Sequence, residues 1–193
     1  MVVEVDIRRT FSHWAERAGV DERIFYERWS EDEAYRAHET GKLSFTEYTA
    51  ALTETLGVSM SHTEWHKGWN EVFVGPYPGV QQKLVELTGT LPLFAFTNTN
   101  PTHEAAWRRR YAQALDHFDE IYVSSTIGLR KPDQEAFEHV ASAMQLEPEE
   151  ILFLDDNPEN VRGAKASGLT PVLTRGEAEV LAALAGFADR LGH

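Results

Sequence analysis

The sequence predicts an α/β protein, a parallel sheet with helices on both faces, preceded by a separate block of helices. Three observations carry this. Residues 80–191 alternate between helix-periodic stretches and short apolar runs. Residues 7–74 are helix-periodic and hold four of the five tryptophans. Residues 151–168, ILFLDDNPENVRGAKASG, join an apolar run, two adjacent carboxylates and a helix start, the arrangement by which an α/β protein presents ligands at the carboxyl ends of its strands.

Val2, Val3 and Val5 give one short extended fragment at the start. From Ile7 the period changes: Ile7, Phe11, Trp14 and Ala18 share a helical face, and Gly19 stops the helix. Phe25 with Trp29 marks a second short helix, and residues 32–38 a third. Ser44 with Glu47 is a capping-box pair ahead of Phe45, Tyr48, Leu52 and Leu56; Ser61 with Glu64 repeats the device ahead of Trp65, Trp69 and Phe73. Trp14, Trp29, Trp65 and Trp69 are assigned to the core of this block. The run GPYPG at 75–79 is a boundary. Beyond it the expected order is helix 80–87, strand 91–96, a helix from Pro101, strand 121–124, helix 132–144, strand 151–154, strand 171–173 and helix 177–191. Ile151, Leu152, Phe153 and Leu154 have the continuous apolar character of a strand buried on both faces. Asn157 is placed as a helix N-cap, Pro158 as a first helical residue and Gly168 as a stop.

A length of 193 residues suits one domain, or one domain with an insert. The formal charge of −13 disfavours non-specific binding to nucleic acid or anionic membrane. It leaves room for an anionic ligand, because helix ends and local cations set the field inside a cleft. Cysteine is absent, which removes disulfides, thiol nucleophiles and thiolate metal sites. No apolar run approaches the ~18 residues of a membrane span, and the opening stretch is too short and charged for a signal peptide. A cytoplasmic location is therefore expected.

Three strand ends share one grammar. Thr97 and Asn98 put a hydroxyl and an amide at the first, with Pro101 opening the next helix. Lys131 stands before Pro132 at the second, and Asp155 with Asp156 ends the third. A phosphate in such a crevice takes hydrogen bonds from Thr97 and backbone N–H groups and charge neutralisation from Lys131. Asp155 and Asp156 suit Mg²⁺, a hard cation that prefers oxygen ligands. Taken singly, each is ordinary turn or helix-cap chemistry; taken in order, they suggest metal-assisted phosphoryl transfer. Among the histidines only His62 and His66 have metal-ligand spacing, and a solvated helix face is the simpler reading. Arg108, Arg109 and Arg110 read as an exposed helix face.

The ordered set Thr97-Asn98, Lys131-Pro132 and Asp155-Asp156 resembles the second, third and fourth motifs of the haloacid dehalogenase-like (HAD) phosphohydrolases. The stretches VVEVDIRRTFSHWAERAGV, HETGKLS, GWNEVFV, FTNTN, IGLRKPD and FLDDNPENVRGAKASG are similar, in that order, to small bacterial sugar-phosphate phosphatases of the alpha-D-glucose-1-phosphate phosphatase type. The resemblance implies a Rossmann-like core (1–6 and 75–193) with a four-helix cap (7–74). It implies Mg²⁺ as cofactor, small phosphorylated metabolites such as sugar phosphates as substrates, and a monomer or weak homodimer. Thr97, with the Asn98 backbone, would bind the transferring phosphoryl group and Lys131 would screen charge. Asp155 would ligate Mg²⁺ directly, and Asp156 directly or through water.

The first motif of that family, an apolar strand ending in a nucleophilic Asp that forms an aspartyl-phosphate, has no counterpart here. VVEVD matches the segment just after that motif, and the missing strand would lie between those ending at Thr97 and Asp155. Two accounts are open: a natural start upstream of Met1, or a true loss that leaves a phosphate-ester-binding pseudo-enzyme. Either way the chain as written is expected to be inactive or nearly so. A return of Val2, Val3 and Val5 into the vacant slot, bringing Glu4 or Asp6 to the site, is the disfavoured third. A dehalogenase or phosphomutase on the same fold is the catalytic alternative; the diacid favours metal-dependent phosphoryl chemistry.

Overall fold

The computed structural model describes residues 2–191, with the side chains of residues 2–187. The chain begins with β1 (Val3–Val5) and runs through five helices, α1 (Ile7–Ala18), α2 (Arg23–Arg28), α3 (Glu33–Glu39), α4 (Phe45–Leu56) and α5 (His62–Trp69). Their starts are set locally. Asp6 accepts from Arg8 N–H at the head of α1, Asp32 from Tyr35 N–H at α3, and Ser44 and Glu47 complete a reciprocal capping box at α4. The second expected capping box is only half made. Ser61 accepts from Glu64 N–H, but the Glu64 carboxylate turns away from the Ser61 amide toward Arg17 and Lys67.

Aromatic rings fill the centre of this block. Trp14, Trp65, Trp69, Phe25 and Tyr48 are buried, while Trp29 is half-buried and packs edge-on against Phe11 and Tyr35. Trp14 lies parallel to Trp69 at 5.6 Å and edge-on to Trp65 at 4.8 Å, and its Nε1–H donates to Trp65 O, so the indole is not left with an unpaired donor.

Helical structure stops earlier than the periodicity implies. After a 3₁₀ turn at Asn70–Val72, Phe73–Pro76 forms β2, paired antiparallel with β1 (Val3↔Pro76, Glu4↔Gly75, Val5↔Phe73). Val72, Phe73 and Val74 are β-formers, and Gly75-Pro76 cannot continue a helix, while the valines of β1 supply an edge to pair with. β1 is thereby fixed beside β2 and does not enter the sheet between the strands ending at Thr97 and Asp155. Asp6 is spent capping α1 and pairing with Arg8.

The rest alternates helix and strand: α6 (Pro78–Leu87), β3 (Phe94–Thr97), α7 (Pro101–Arg110), α8 (Ala112–Leu115), β4 (Glu120–Val123), α9 (Ser124–Ile127), α10 (Gln134–Met144), β5 (Leu152–Asp155), α11 (Pro158–Ala166), β6 (Thr170–Leu173) and α12 (Glu177–Leu191). β3 pairs parallel with β4, and β5 parallel with β6. Pro171 is tolerated because β6 is an outer strand. Among the described residues no pairing joins β3 to β5. Helices bind the two pairs together. Val80 and Leu84 of α6 with Val180 of α12 pack against Leu93 and Leu154 on one face, and Phe137 of α10 meets Phe96 and Phe153 on the other. Leu152, Phe153 and Leu154 are only half-buried, which corrects the expectation of a strand buried on both faces: the faces are covered but one edge is open.

Two joints tie the helical block to the sheet. At the first, His103 stacks on Trp69 at 4.6 Å, its Nε2–H donates to Trp69 O (2.9 Å), and its Nδ1 accepts from Asn100 Nδ2 (3.2 Å). At the second, Ser124 Oγ accepts from Thr99 N–H and faces the carbonyls of Glu39 (2.7 Å) and Thr99 (2.9 Å), while Arg130 pairs with buried Glu39 at 2.9 Å. Burial raises the Glu39 carboxyl, and the Arg130 charge offsets part of that. Gly41, at φ +71, closes this joint: a Cβ there would lie 2.4 Å from Ser125 O.

Gly41→Ala is accordingly expected to destabilise the protein by about 1–3 kcal/mol through backbone strain and overpacking together, read from urea unfolding. A pH dependence arises from His103, whose pKa is depressed to about 3, chiefly by burial, partly offset by its bond to Trp69 O. Unfolded, the ring takes a proton below its ordinary 6.5; folded, it stays neutral to about 3. Stability is therefore complete above 6.5 and lost as pH falls, by up to ~1.4 kcal/mol per unit from this group. In His103→Gln that part of the slope should vanish.

Candidate active site

The carboxyl ends of β3 and β5 meet at one side chain. Lys131 Nζ donates to Asp155 Oδ2 at 2.7 Å and to Phe96 O at 2.8 Å, and lies over the Phe96 and Phe153 rings at 5.1 and 5.4 Å. Lys131 and Asp155 are 6 % and 5 % exposed, so each is the other's main compensation for leaving water. Two of the three ammonium donors are used, and the third is free for a ligand.

Asn98 places that lysine. Its Nδ2–H donates to Lys131 O (2.8 Å) and its Oδ1 accepts from Lys131 N–H (2.9 Å), a two-bond clamp from the end of β3 to the loop after α9. The amide group thereby spends one donor and one acceptor on fixing the lysine backbone. From the other side α11 approaches the same loop at Gly163, where a Cβ would lie 2.4 Å from Pro132 O. Thr97, at the end of β3, is half-buried, and its hydroxyl has no protein partner among the described residues.

Asp155 is held by more than the lysine. Its Oδ1 accepts from Asn157 N–H and from Asn160 Nδ2, both at 2.9 Å. Burial alone would push its carboxyl up, but the Lys131 charge and these donors outweigh burial and hold it below the ordinary range. Asn157 caps α11 through Glu159 N–H, with Pro158 in the first turn. Asp156 is exposed, without a hydrogen bond or ion pair among the described residues. Asp155 and Asp156 offer oxygen donors only, which suits Mg²⁺, a cation that keeps several waters and needs one or two carboxylates plus substrate phosphate. Among the described residues no group of three acidic or histidine side chains could enclose a metal, His62 and His66 included.

The structure brings Asn98, Lys131 and Asp155 into contact; Thr97 ends β3 next to Asn98, and Asp156 is exposed next to Asp155. Sequence reasoning missed Asn160, whose only signal is an amide one helical turn past an N-cap. It also missed the Glu39–Arg130 pair, whose partners stand 91 residues apart. The arginine run is not merely exposed: Arg110 donates to Asn70 O and lies over Phe73.

A lysine and a diacid gathered at the carboxyl ends of parallel strands are the ligand-presenting edge of a doubly wound α/β core. The family model for haloacid dehalogenase-like hydrolases matches residues 6–168, and the chain belongs to that family. The chain is 44 % identical over 87 residues to the sesquiterpene phosphatase astK of Aspergillus oryzae, covering 45 % of this chain and 44 % of that one. It is 21 % identical over 173 residues to the D-ribitol-5-phosphate phosphatase of Bacteroides thetaiotaomicron, covering 87 % and 84 %. Some matched relatives are much longer: the chain spans 12 % of the drimenol cyclase drtB of Aspergillus calidoustus. In fold it resembles a HAD-family enzyme of Bacteroides thetaiotaomicron solved with magnesium and inorganic phosphate (TM-score 0.77, 22 % identity, 91 % and 90 % covered). It likewise resembles a predicted HAD-like hydrolase of Porphyromonas gingivalis (TM-score 0.81, 21 % identity, 96 % and 92 % covered). No helix among the described residues is long and apolar enough to cross a membrane.

Lys131→Met should leave Asp155 buried and uncompensated and cost about 3–5 kcal/mol in urea unfolding. The double variant Lys131→Met/Asp155→Leu should recover much of that loss. Equal and additive losses from the two changes would show that the ion pair is not coupled.

Proposed function

We propose that this chain carries the phosphate- and metal-binding half of a Mg²⁺-dependent phosphatase of small phosphorylated metabolites, sugar phosphates among them. The observation that carries the reading is the Lys131 ammonium. It stands 2.7 Å from Asp155 and 2.8 Å from Phe96 O, the residue before Thr97 at the end of β3. In this reading Thr97 O–H and the Asn98 backbone N–H donate to phosphoryl oxygens. Lys131 directs its third N–H at the same group and keeps Asp155 ionised. Asn160 and Asn157 hold Asp155 oriented, and Asp155 with Asp156 would hold Mg²⁺. That ion, when bound, neutralises charge on the phosphoryl oxygens. Residues 7–74 act as a cap over a core made of 1–6 and 75–193, and choose the substrate's leaving group. The Bacteroides relative named for ribitol 5-phosphate supports the substrate class.

The same side chains supply no nucleophile. Thr97 has no base in contact, and Asp155, paired with Lys131 and held by Asn157 and Asn160, is assigned to the metal. The chain by itself therefore binds without turnover, and the missing element is a carboxylate able to attack phosphorus. Isothermal titration with MgCl₂ in the presence of inorganic phosphate should give saturable binding that Asp155→Asn weakens at least about tenfold. Assayed with glucose 1-phosphate and ribitol 5-phosphate, the chain should release no phosphate above the rate of Lys131→Ala. Rapid Mg²⁺-dependent release would sink the inactivity, and silence in the titration would sink the phosphoryl reading.

A further inference from the structure

Lys131 sits in a tight turn that is fastened from the helical block as well as from the sheet. Asp133 N–H donates to Arg130 O at 3.1 Å, so Arg130 is the first residue of that turn and Lys131 the second. From the sheet side, Asn98 clamps the Lys131 backbone. From the helical side, Glu39, the last residue of α3, takes the Arg130 guanidinium: Nε–H and Nη2–H both reach its Oε2 at 2.9 Å. Glu31 Oε2 stands 3.3 Å from the same Nη2.

The two acids differ in what they hold. The Glu31 side chain is 51 % exposed, so solvent screens its pair with Arg130 and little rests on it. The Glu39 side chain is 5 % exposed and that of Arg130 11 %, so neither charge can lose the other without standing uncompensated in a buried place. Glu39 also reaches the segment after β3. Its carbonyl lies 2.7 Å from Ser124 Oγ, which accepts from Thr99 N–H at 2.8 Å, and Thr99 follows the clamping residue Asn98. One residue of α3 therefore touches both segments that converge on the lysine, across 91 residues by its carboxylate and 85 by its carbonyl. Gly41 leaves this contact no slack, because a side chain there would collide with Ser125 O. An apolar residue at position 39 would fill the space without taking a charge out of water; what the carboxylate adds is one fixed geometry.

We propose that Glu39 is a positioning residue for Lys131, acting through Arg130 on the turn and through Ser124 and Thr99 on the clamp. The docked position of the helical block is then a condition for the ammonium to stand at Phe96 O and Asp155. An anionic group bound at Lys131 favours the docked block, and the docked block favours the anion, by the same factor. This last consequence alone rests on the phosphatase reading above.

The test follows amide exchange by NMR in the whole chain, comparing Glu39→Gln with the unaltered protein. The N–H groups of Lys131 and Thr99 should exchange at least about tenfold faster, and those of Tyr48, Trp65 and Thr170 less than about twofold faster. A purely structural role would speed all five together through lost global stability. Arg130→Lys, which keeps the charge but loses the planar fork, should speed the same two amides by at least about threefold, and it keeps the test open if Glu39→Gln does not fold. Glu31→Gln should change none of them. Isothermal titration with inorganic phosphate and MgCl₂ then reads the coupling: Glu39→Gln should weaken phosphate at least about fivefold and Glu31→Gln less than about twofold. Selective exchange together with weakened phosphate supports both readings. Selective exchange in a protein whose unaltered form binds no phosphate upholds the positioning role and overturns the phosphatase. Uniform acceleration, no change at Lys131, or phosphate bound equally well by Glu39→Gln would overturn the proposal.

Discussion

The buried pair between Lys131 and Asp155 is the contact on which the rest depends. Neither charge is stable alone in that environment, and the loop after α9, the end of β3 and the start of α11 are all shaped to keep the two at 2.7 Å. Asn98 clamps the lysine backbone, Asn157 and Asn160 hold the carboxylate, and Gly163 lets α11 approach the loop. The pair also bridges strands that share no backbone hydrogen bond. The ammonium ties Phe96 O near the end of β3 to the Asp155 carboxylate at the end of β5, and helices pack over both faces.

Much of this was legible in the sequence, for a physical reason. Local signals survive into structure where the competing interaction is weak. Asp6, Asp32, Ser44 and Asn157 cap their helices as their identities require, and the tryptophans of the helical block pack where their helical spacing puts them. The order of Lys131 and Asp155 foretold their contact, because segments that follow parallel strands emerge on the same side of an α/β core. What was hidden depended on distant partners. β2 sits in a Gly-Pro stretch that looks like a boundary until β1 gives it an edge to pair with. Glu64 has the right spacing for a capping box, but its carboxylate turns to Arg17 and Lys67. Asn160 and the Glu39–Arg130 pair carry no local pattern at all.

The two joints between the helical block and the sheet differ in kind. One is an aromatic stack with a neutral histidine locked in a single tautomer by Trp69 O and Asn100. The other is charged and crowded, with Glu39, Arg130, Ser124 and Gly41 in close contact. Both lie beside the strand ends that hold Thr97 and Lys131. The position of the helices is thereby tied to the residues that would grip a phosphate, so movement of the block cannot be independent of the site.

The head of α6 has no side-chain cap of its own; its first free amides, on Gly79 and Val80, are taken by the Glu177 carboxylate from α12. That partner lies 98 residues further along the chain. The head of α6 is therefore only as secure as the packing of α12 against it, whereas the aromatic block draws its buried cluster from residues 11–69 alone.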